Sequence, residues 1–144
     1  MSLSNTSGAL APCPCGRTDG RQRLRAWADC CGAYVDDWAT PAPDAECLMR
    51  SRYSAFVRER ADYLLATWHP RTRPAALDFT AGLKWLGLHV RAHRVVDGTH
   101  AEVEFVARSR LAGRASRLHE RSRFVREADA AGLPRWYYVD GDML

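Results

Sequence analysis

The sequence contains no apolar run long enough to cross a membrane. No stretch approaches the roughly 20 consecutive apolar residues of a membrane-spanning helix, and no basic stretch followed by an apolar core opens the chain, as in a secretory signal. It also has no glycine-rich phosphate loop, no Gly-x-Ser-x-Gly elbow and no His-Glu-x-x-His pair. We therefore expect a cytoplasmic protein without membrane contact, and no familiar motif defines a reaction.

Lysine is nearly absent as well. Among 21 Lys and Arg residues only Lys84 is a lysine, and the net charge is +4. Such a skew is typical of a GC-rich genome, which favours arginine codons. The basic balance permits nucleic-acid or acidic-protein partners without requiring either. With 144 residues, 47% of them hydrophobic, the chain can form one domain with a core and a small appendage.

Four of the five cysteines form two close pairs near the N-terminus, Cys13 with Cys15 and Cys30 with Cys31. In a reducing compartment such clusters more often bind metal than form disulfides. Four thiolates suit a tetrahedral structural zinc and leave no open position for catalysis. The alternatives are a reduced metal-free cluster or an oxidised one. Cys47 is predicted to be a small core residue and not a ligand.

Residues 48–57 are the pattern around which the rest is arranged. They predict one amphipathic helix, with Arg50, Ser51 and Ser54 outside the apolar sector and Arg52 inside it. A charge in that sector must reach solvent along its stem or meet an acidic partner. Arg52 is therefore either a structural arginine or an anion-binding group at the floor of a pocket.

Helices are followed by a sheet in this chain. Residues 62–68 predict a short helix capped by Asp62, and residues 73–83 a third helical piece opened by Pro74. Residues 85–96, 100–111, 116–127 and 135–140 are strand-like and are joined by short turns, including the Asp97-Gly98 hairpin signal. This order predicts an α+β domain, with helices against one face of a four-stranded antiparallel meander.

Several motifs together resemble the bacterial YchJ-like proteins over nearly the whole chain, from residue 12 to residue 141. These are Cys13-Pro14-Cys15-Gly16, Cys30-Cys31-Gly32, residues 48–57, 62–65 and 67–70, Trp85-Leu86-Gly87-Leu88, Val103 with residues 105–108, residues 120–124 and residues 136–141. The resemblance implies an NTF2-like cone of helices on a curved sheet, preceded by a zinc segment similar to the SEC-C motif. It implies no biochemical activity, because none is established for the family.

The predicted organisation follows from that resemblance. Residues 1–11 form a flexible lead-in, 12–40 the SEC-C-like zinc-binding segment and linker, and 41–144 the NTF2-like domain. The chain departs from the family pattern at Arg17, where a serine is usual, and in the longer gap between its cysteine pairs. It also lacks a second Cys-Pro-Cys-Gly copy at its C-terminus.

A curved sheet capped by helices leaves a cleft, in which polar side chains are the natural candidates for a site. On the strands, alternation places Glu120 and Ser122 on one face and Tyr138 and Asp140 on one face. The simplest expectation is a buried ion pair of Arg52 with Glu120 or Asp140 that holds helix to sheet. The full set of candidate pocket residues is Arg52, Tyr53, His69, Glu104, Arg108, Glu120, Ser122, Tyr138 and Asp140.

Three functions are compatible with these features. The first is a binding or adaptor module that contacts another macromolecule through its zinc segment, as similarity to SEC-C segments suggests. The second is a small-molecule-binding protein or enzyme using the pocket around Arg52. The third, less favoured, is RNA binding by the outer face of strand three, which carries Arg117, His119, Arg121 and Arg123 with Arg114 and Arg126 beside them. A homodimer is a further possibility.

Overall fold

The structure is a computed structural model that describes residues 6–144, with side chains from residue 8 onwards. The predicted flexible lead-in therefore lies partly outside the described residues. The elements, in chain order, are a π-helical turn Thr6–Leu10, a 3-10 turn Trp27–Asp29, helices α1 Gly32–Val35, α2 Ala45–Val57 and α3 Ala61–Ala66, and strands β1 Lys84–Val95, β2 His100–Leu111, β3 Arg114–Ala128 and β4 Pro134–Met143. No helix among these is both long and apolar enough to cross a bilayer.

The four strands form one antiparallel sheet in the order β1-β2-β3-β4, which confirms the predicted meander. Alternate residues of a strand face opposite sides, and on β2 Ala101, Val103, Phe105 and Ala107 face the helices and are buried. The helices pack against this face of the sheet. The predicted α+β architecture, with helices on one side of the sheet, is confirmed.

Helix α2 lies at the centre of the molecule. Its N-cap is Asp44, whose Oδ1 accepts a hydrogen bond from the Cys47 backbone N–H at 2.7 Å, as expected for a capping aspartate. The prediction of a single apolar face was wrong, because Ser51 and Ser54 are fully buried. Their small side chains let α3 and the cysteine segment approach from the side away from the sheet: Ser51 Oγ lies 2.8 Å from the Tyr63 hydroxyl, and Ser54 Oγ lies 3.6 Å from Cys13 Sγ.

Helix α3 starts one residue earlier than predicted, at Ala61, and its N-cap is Arg60, without a side-chain cap. Asp62 is therefore not the cap; it lies in the first turn and pairs with Arg60 at 3.1 Å. The third helix predicted over residues 73–83 does not form. The chain there forms no regular element, and Leu77 and Phe79, two residues apart, both pack against the core. That spacing suits an extended chain, and Pro70 and Pro74 do not favour a helix across this segment.

Residues 11–36 form a small lobe, here called the cysteine lobe, that shares a hydrophobic core with α2. Trp27 fills its centre at 2% exposure. The indole Nε1 donates to Asp36 at 2.7 Å, and the Arg58 guanidinium lies 3.9 Å above the ring. The lobe is therefore packed onto the body of the protein and does not extend from it as a separate arm.

Candidate functional site: a cysteine centre and a cone cavity

The four paired cysteines converge on one point. Cys13, Cys15, Cys30 and Cys31 are all buried, and their Sγ atoms lie within 4.8 Å of one another. Sγ of Cys15 is 3.7 Å from that of Cys13 and 3.6 Å from that of Cys30. Four thiolates about 2.3 Å from a tetrahedral zinc would be about 3.8 Å apart. The residues therefore fit a tetrahedral metal ion of that size, and all five cysteines are free thiols.

The long gap between the cysteine pairs does not prevent this convergence. Residues 16–25 double back on themselves, with a bridge between Thr18 and Leu24. Asp19 Oδ1 accepts hydrogen bonds from the backbone N–H groups of Arg21 and Arg23 at 2.8 and 3.1 Å, an arrangement typical of a turn-forming aspartate. The extra residues thus form an exposed hairpin, and its ends return to the metal-binding positions.

The protonation of the cluster explains why it needs a cation. The pKa of the Cys13 thiol lies far below its usual value because the Cys15, Cys30 and Cys31 thiols hydrogen-bond to its thiolate. The pKa of Cys31 is correspondingly raised by its hydrogen bonds to Cys13, Cys15 and Cys30. Four adjacent thiolates repel one another, so the fully deprotonated cluster requires a bound positive ion. The chemistry of the donor set therefore fits a metal centre.

Cys47 stands apart from the cluster, as predicted for a non-ligand. Its Sγ accepts a hydrogen bond from Arg17 Nη1 at 3.3 Å, and its side chain is half-buried. Arg17, the residue that departs from the family pattern, also lies 3.7 Å from Glu46. The neighbouring Arg50 donates to the Cys15 carbonyl at 3.2 Å. Arg17 from the hairpin and Arg50 from α2 thus connect the cysteine lobe to α2.

Gly32 gives a test of how tightly the cysteine lobe is packed. A Cβ at this position would lie 2.6 Å from Trp27 Cδ1 and from the Trp27 carbonyl oxygen. Because the carbonyl belongs to the backbone, it cannot move aside cheaply. We expect Gly32→Ala to destabilise the protein by about 2 kcal/mol, measured by urea unfolding. Gly20→Ala is the control, because its Cβ would meet no atom within 4 Å. Equal stability of the two variants would contradict this account.

The second site is a cavity of about 310 Å³ between α2 and the sheet. This volume is at the lower end of the range for small-molecule sites, roughly 300–1,000 Å³. Its walls are mostly aromatic and aliphatic, with a few polar groups at one end. The lining residues are Met49, Arg52, Tyr53, Phe56, Trp68, Trp85, Phe105, Ala107, Leu118, Glu120, Ser122, Phe124 and Tyr138. Five of the nine predicted pocket residues therefore meet here: Arg52, Tyr53, Glu120, Ser122 and Tyr138.

Arg52 is buried but does not form the predicted ion pair. Its Nη1 donates to the Leu64 carbonyl at 2.8 Å and to Thr67 Oγ1 at 2.7 Å. The guanidinium carbon lies 4.7 Å from the Tyr138 ring centroid and 5.1 Å from that of Trp68. Burial lowers the pKa of Arg52 to about 10, so the side chain is charged at neutral pH. The charge is contacted by the Leu64 carbonyl, the Thr67 hydroxyl and two aromatic faces, while the Glu120 carboxylate acts on it only from beyond ion-pair distance.

Glu120 is the buried carboxylate of the cavity, at 7% exposure. Ser122 Oγ donates to its Oε2 at 2.5 Å, and the Tyr138 hydroxyl donates to the same oxygen at 3.2 Å. Both of these side-chain hydrogen bonds are therefore accepted by Oε2, and Oε1 accepts none from the described side chains. The pKa of Tyr138 is raised to about 12, first by burial and then by the Glu120 charge, which keeps the phenol protonated as a donor.

Asp140 does not face the cavity, because β4 contains a β-bulge. The strand register pairs Phe124 with Tyr138 but Arg123 with Asp140, so that Val139 is an extra residue. An extra residue reverses the alternation beyond it. Asp140 consequently lies on the outer face, 2.6 Å from Arg123 Nε. Gly141 takes the inner position opposite Ser122, and a Cβ there would lie 2.8 Å from Glu120 Cδ.

Three other predicted pocket residues also lie elsewhere. His69 follows Trp68 beside β4, with Trp68 paired parallel to Tyr138; it points the opposite way from Trp68 and contacts Glu127 at 2.8 Å. Glu104 and Arg108 alternate with the inward Phe105 and Ala107 of β2 and therefore face outward. Glu104 accepts a hydrogen bond from His119 Nε2 at 2.7 Å.

Sequence reasoning missed the aromatic walls. Trp68 is the clearest case, because its Nε1 is buried without a hydrogen-bond partner in the described part of the chain, and it lines the cavity beside Arg52. Trp85 contacts Tyr53 edge-on at a centroid distance of 5.7 Å. A signal existed, since both tryptophans belong to motifs that resemble the family. Neither tryptophan was among the predicted pocket residues, because the prediction considered polar and charged side chains.

The fold and these two sites define a class of protein, an NTF2-like domain with an added four-cysteine lobe. Residues 44–141 match the family described as YchJ, middle NTF2-like domain. A UPF0225 protein of Polaromonas naphthalenivorans (strain CJ2) is 65% identical over 137 residues, which cover 91% of this chain and 96% of that protein. The chain belongs to the YchJ-like family, whose relatives carry the name UPF0225 protein.

Solved structures agree with this assignment. A SEC-C motif containing protein of Psychrobacter arcticus superimposes with a TM-score of 0.78 at 32% identity, over 92% of this chain and 82% of that one. A second such protein, from Rhodopseudomonas palustris, has a TM-score of 0.73 at 31% identity, over 92% of this chain and 98% of that one. The resemblance to the YchJ-like family predicted from the sequence motifs is thereby confirmed, and both of these solved structures are of proteins described as containing a SEC-C motif.

Proposed function

We propose that the protein binds a small, largely apolar molecule in the cone cavity, with a polar group of that molecule at Glu120. The observation that carries this proposal is a sizeable apolar space with polar groups gathered at one end. Glu120 Oε2 accepts two hydrogen bonds, from Ser122 and Tyr138, and this leaves Oε1 for a donor on the ligand.

Fragment binding followed by NMR tests this proposal. We expect Glu120→Gln to weaken fragments that carry an N–H or O–H donor by roughly tenfold or more, because a hydrogen bond to a charged group contributes about 1.5–3 kcal/mol. Glu104→Gln removes the same charge from the outer face, where Glu104 contacts His119, and should leave binding unchanged. Equal losses in both variants would reject Glu120 as the ligand contact.

A second variant tests the cavity itself. Ala107 lines the wall, and Ala107→Phe would fill part of the space. We expect loss of all cavity-bound fragments while the protein stays folded, as shown by far-UV circular dichroism. If fragments bind Ala107→Phe as well as the parent protein, or if none binds the parent, the cavity is not a ligand site.

We propose zinc as the metal of the cysteine centre. Support comes from the four-thiolate donor set, which favours zinc over harder ions such as magnesium or calcium, and from Sγ separations of 3.6–3.7 Å. Elemental analysis of the purified protein should find about one zinc per chain. Less than half an equivalent of metal with all five thiols reactive, or a full equivalent of a different metal, would reject it.

Contact with another protein through the cysteine lobe is a second proposal. It is favoured by the exposed hairpin, where Leu24 is 54% exposed beside Arg23 and Arg25. Chemical crosslinking should capture a partner that Leu24→Asp loses and Leu133→Asp retains, since Leu133 is exposed on the turn before β4. The same capture by both variants would place the contact elsewhere. The predicted homodimer stays a prediction.

A further inference from the structure

One end of the outer sheet face carries only positive charge. By strand register Lys84 of β1 lies opposite Arg110 of β2, and Arg108 of β2 lies opposite Arg117 of β3. All four side chains are exposed and alternate with residues of the inner face. We call these four residues the basic end. It lies beyond the end of β4, whose last partner on β3 is Glu120.

The basic end differs from the rest of the same face in having no ion pairs. Across residues 8–144 none of its four cations lies within 4.0 Å of a carboxylate. Elsewhere on this face Arg94 pairs with Glu102 at 3.5 Å, Arg121 with Glu104 at 3.8 Å and Arg123 with Asp140 at 2.6 Å. The arginine-rich face predicted on strand three is thus divided, and its Arg121 and Arg123 are neutralised.

The sequence itself keeps acids away from the basic end. No Asp or Glu occurs in residues 79–96 or 105–119, the segments that form this end of β1, β2 and β3, and residues 1–7 contain none either. Like charges directly opposite on neighbouring strands are destabilising. Two such pairs stand side by side here without a compensating carboxylate. An anion that binds here from outside would relieve this repulsion.

We propose that the basic end binds the phosphate backbone of a nucleic acid. Three of its four cations are arginines, whose planar guanidinium groups match phosphate oxygens in pairs. The register positions between them on the outer face are Gly87 and Ala115, and Leu86 is exposed at the adjoining bulge. Small side chains and not a cluster of aromatic anchors, as is usual at protein interfaces, therefore separate the cations. Charge complementarity with a polyanion therefore carries the recognition, without a base-specific element.

Fluorescence anisotropy with a labelled oligouridylate, alone and as a duplex, tests this proposal. We expect binding to weaken as salt rises, and Arg108→Ala/Arg117→Ala to weaken it roughly tenfold at low salt. For the single strand, the slope of log K against log[salt] should become shallower by about 0.7 for each phosphate that the variant no longer neutralises. The two replaced arginines should therefore reduce the slope by about 1.4 in total. Because the double variant relieves repulsion, its thermal midpoint should equal or exceed that of the parent.

The matched control is Arg94→Ala/Arg121→Ala, which removes two charges from ion-paired positions of the same face. It should bind the oligouridylate within about twofold of the parent, because only the removal of phosphate-contacting cations changes the slope. If both double variants lose the same affinity for the oligouridylate, net charge alone would explain the binding, and the proposed site would be overturned. Polyglutamate or anionic vesicles competing as well as the oligonucleotide would overturn the nucleic-acid assignment, as would no binding by the parent at low salt.

Discussion

Removal of the metal with a chelator is expected to unfold the cysteine lobe and to destabilise the whole domain. The lobe has little apolar material of its own, and its buried Cys15, Cys31 and Trp27 belong to the same core as α2. Structural zinc in small domains contributes about 10–16 kcal/mol of apparent binding free energy at neutral pH, which is also folding free energy. We therefore expect a loss of more than about 5 kcal/mol, comparable to the entire stability of an ordinary domain.

Trp27 reports this change directly, because it is buried under Arg58 and hydrogen-bonded to Asp36. The tryptophan fluorescence, to which Trp27 contributes one of five indoles, should change after chelation and the urea midpoint should fall. Both should recover when zinc is added back. Metal binding releases thiol protons, so the apo-like behaviour should also appear as pH is lowered and disappear as it rises. Cys13→Ser should behave like the chelated protein.

Cys47→Ser is the matched control for the metal experiment. Cys47 is a thiol near the same helix, but it contacts Arg17 and lies outside the cluster. Its replacement should leave the metal content unchanged and alter stability by less than about 1 kcal/mol. An unchanged urea midpoint in protein proven metal-free by elemental analysis would contradict a structural role for the ion.

Local sequence patterns predicted the structure correctly where the type of one or two residues decides it. The cysteine pairs predicted a cluster of four thiols that could hold a metal ion, the Asp97-Gly98 turn predicted the β1–β2 hairpin, and alternating strands predicted the meander that the structure contains. The inward placement of Glu120 and Ser122 also follows from alternation on β3. In each case the relevant interaction is between residues close in sequence, or is fixed by the chemistry of the side chain.

Other features depended on contacts that no local pattern contains. The bulge at Val139 reverses the face of Asp140, and it is visible only in the pairing of β4 with β3. Ser51 and Ser54 were predicted to face solvent because serine is polar, but α3 and the cysteine lobe cover them. A helix surrounded on all sides loses the apolar stripe on which the periodicity argument depends.

Two replacements of Arg52 are expected to distinguish the contribution of its side-chain packing to stability from the contribution of its charge. Arg52→Ala should destabilise the protein by about 3 kcal/mol, because it enlarges the cavity and removes the contacts with Thr67, Trp68 and Tyr138. Arg52→Met keeps most of the side-chain volume and loses the charge. We expect Arg52→Met to remain within about 1 kcal/mol of the parent.

The reason lies in the cost of burying the charge. The pKa of Arg52 falls from 12.5 to about 10 through desolvation. A base with a lowered folded-state pKa contributes stability above its unfolded pKa and loses it as pH falls through the folded value. At neutral pH this shift corresponds to a net cost on the order of 3 kcal/mol for the charged form, at about 1.4 kcal/mol for each pKa unit, which already includes the interactions of the guanidinium with its neighbours; the charge itself therefore adds no net stability. Urea unfolding at neutral pH should rank parent and Arg52→Met together and Arg52→Ala below them. If Arg52→Met loses as much stability as Arg52→Ala, the guanidinium itself holds α2 to α3 and β4.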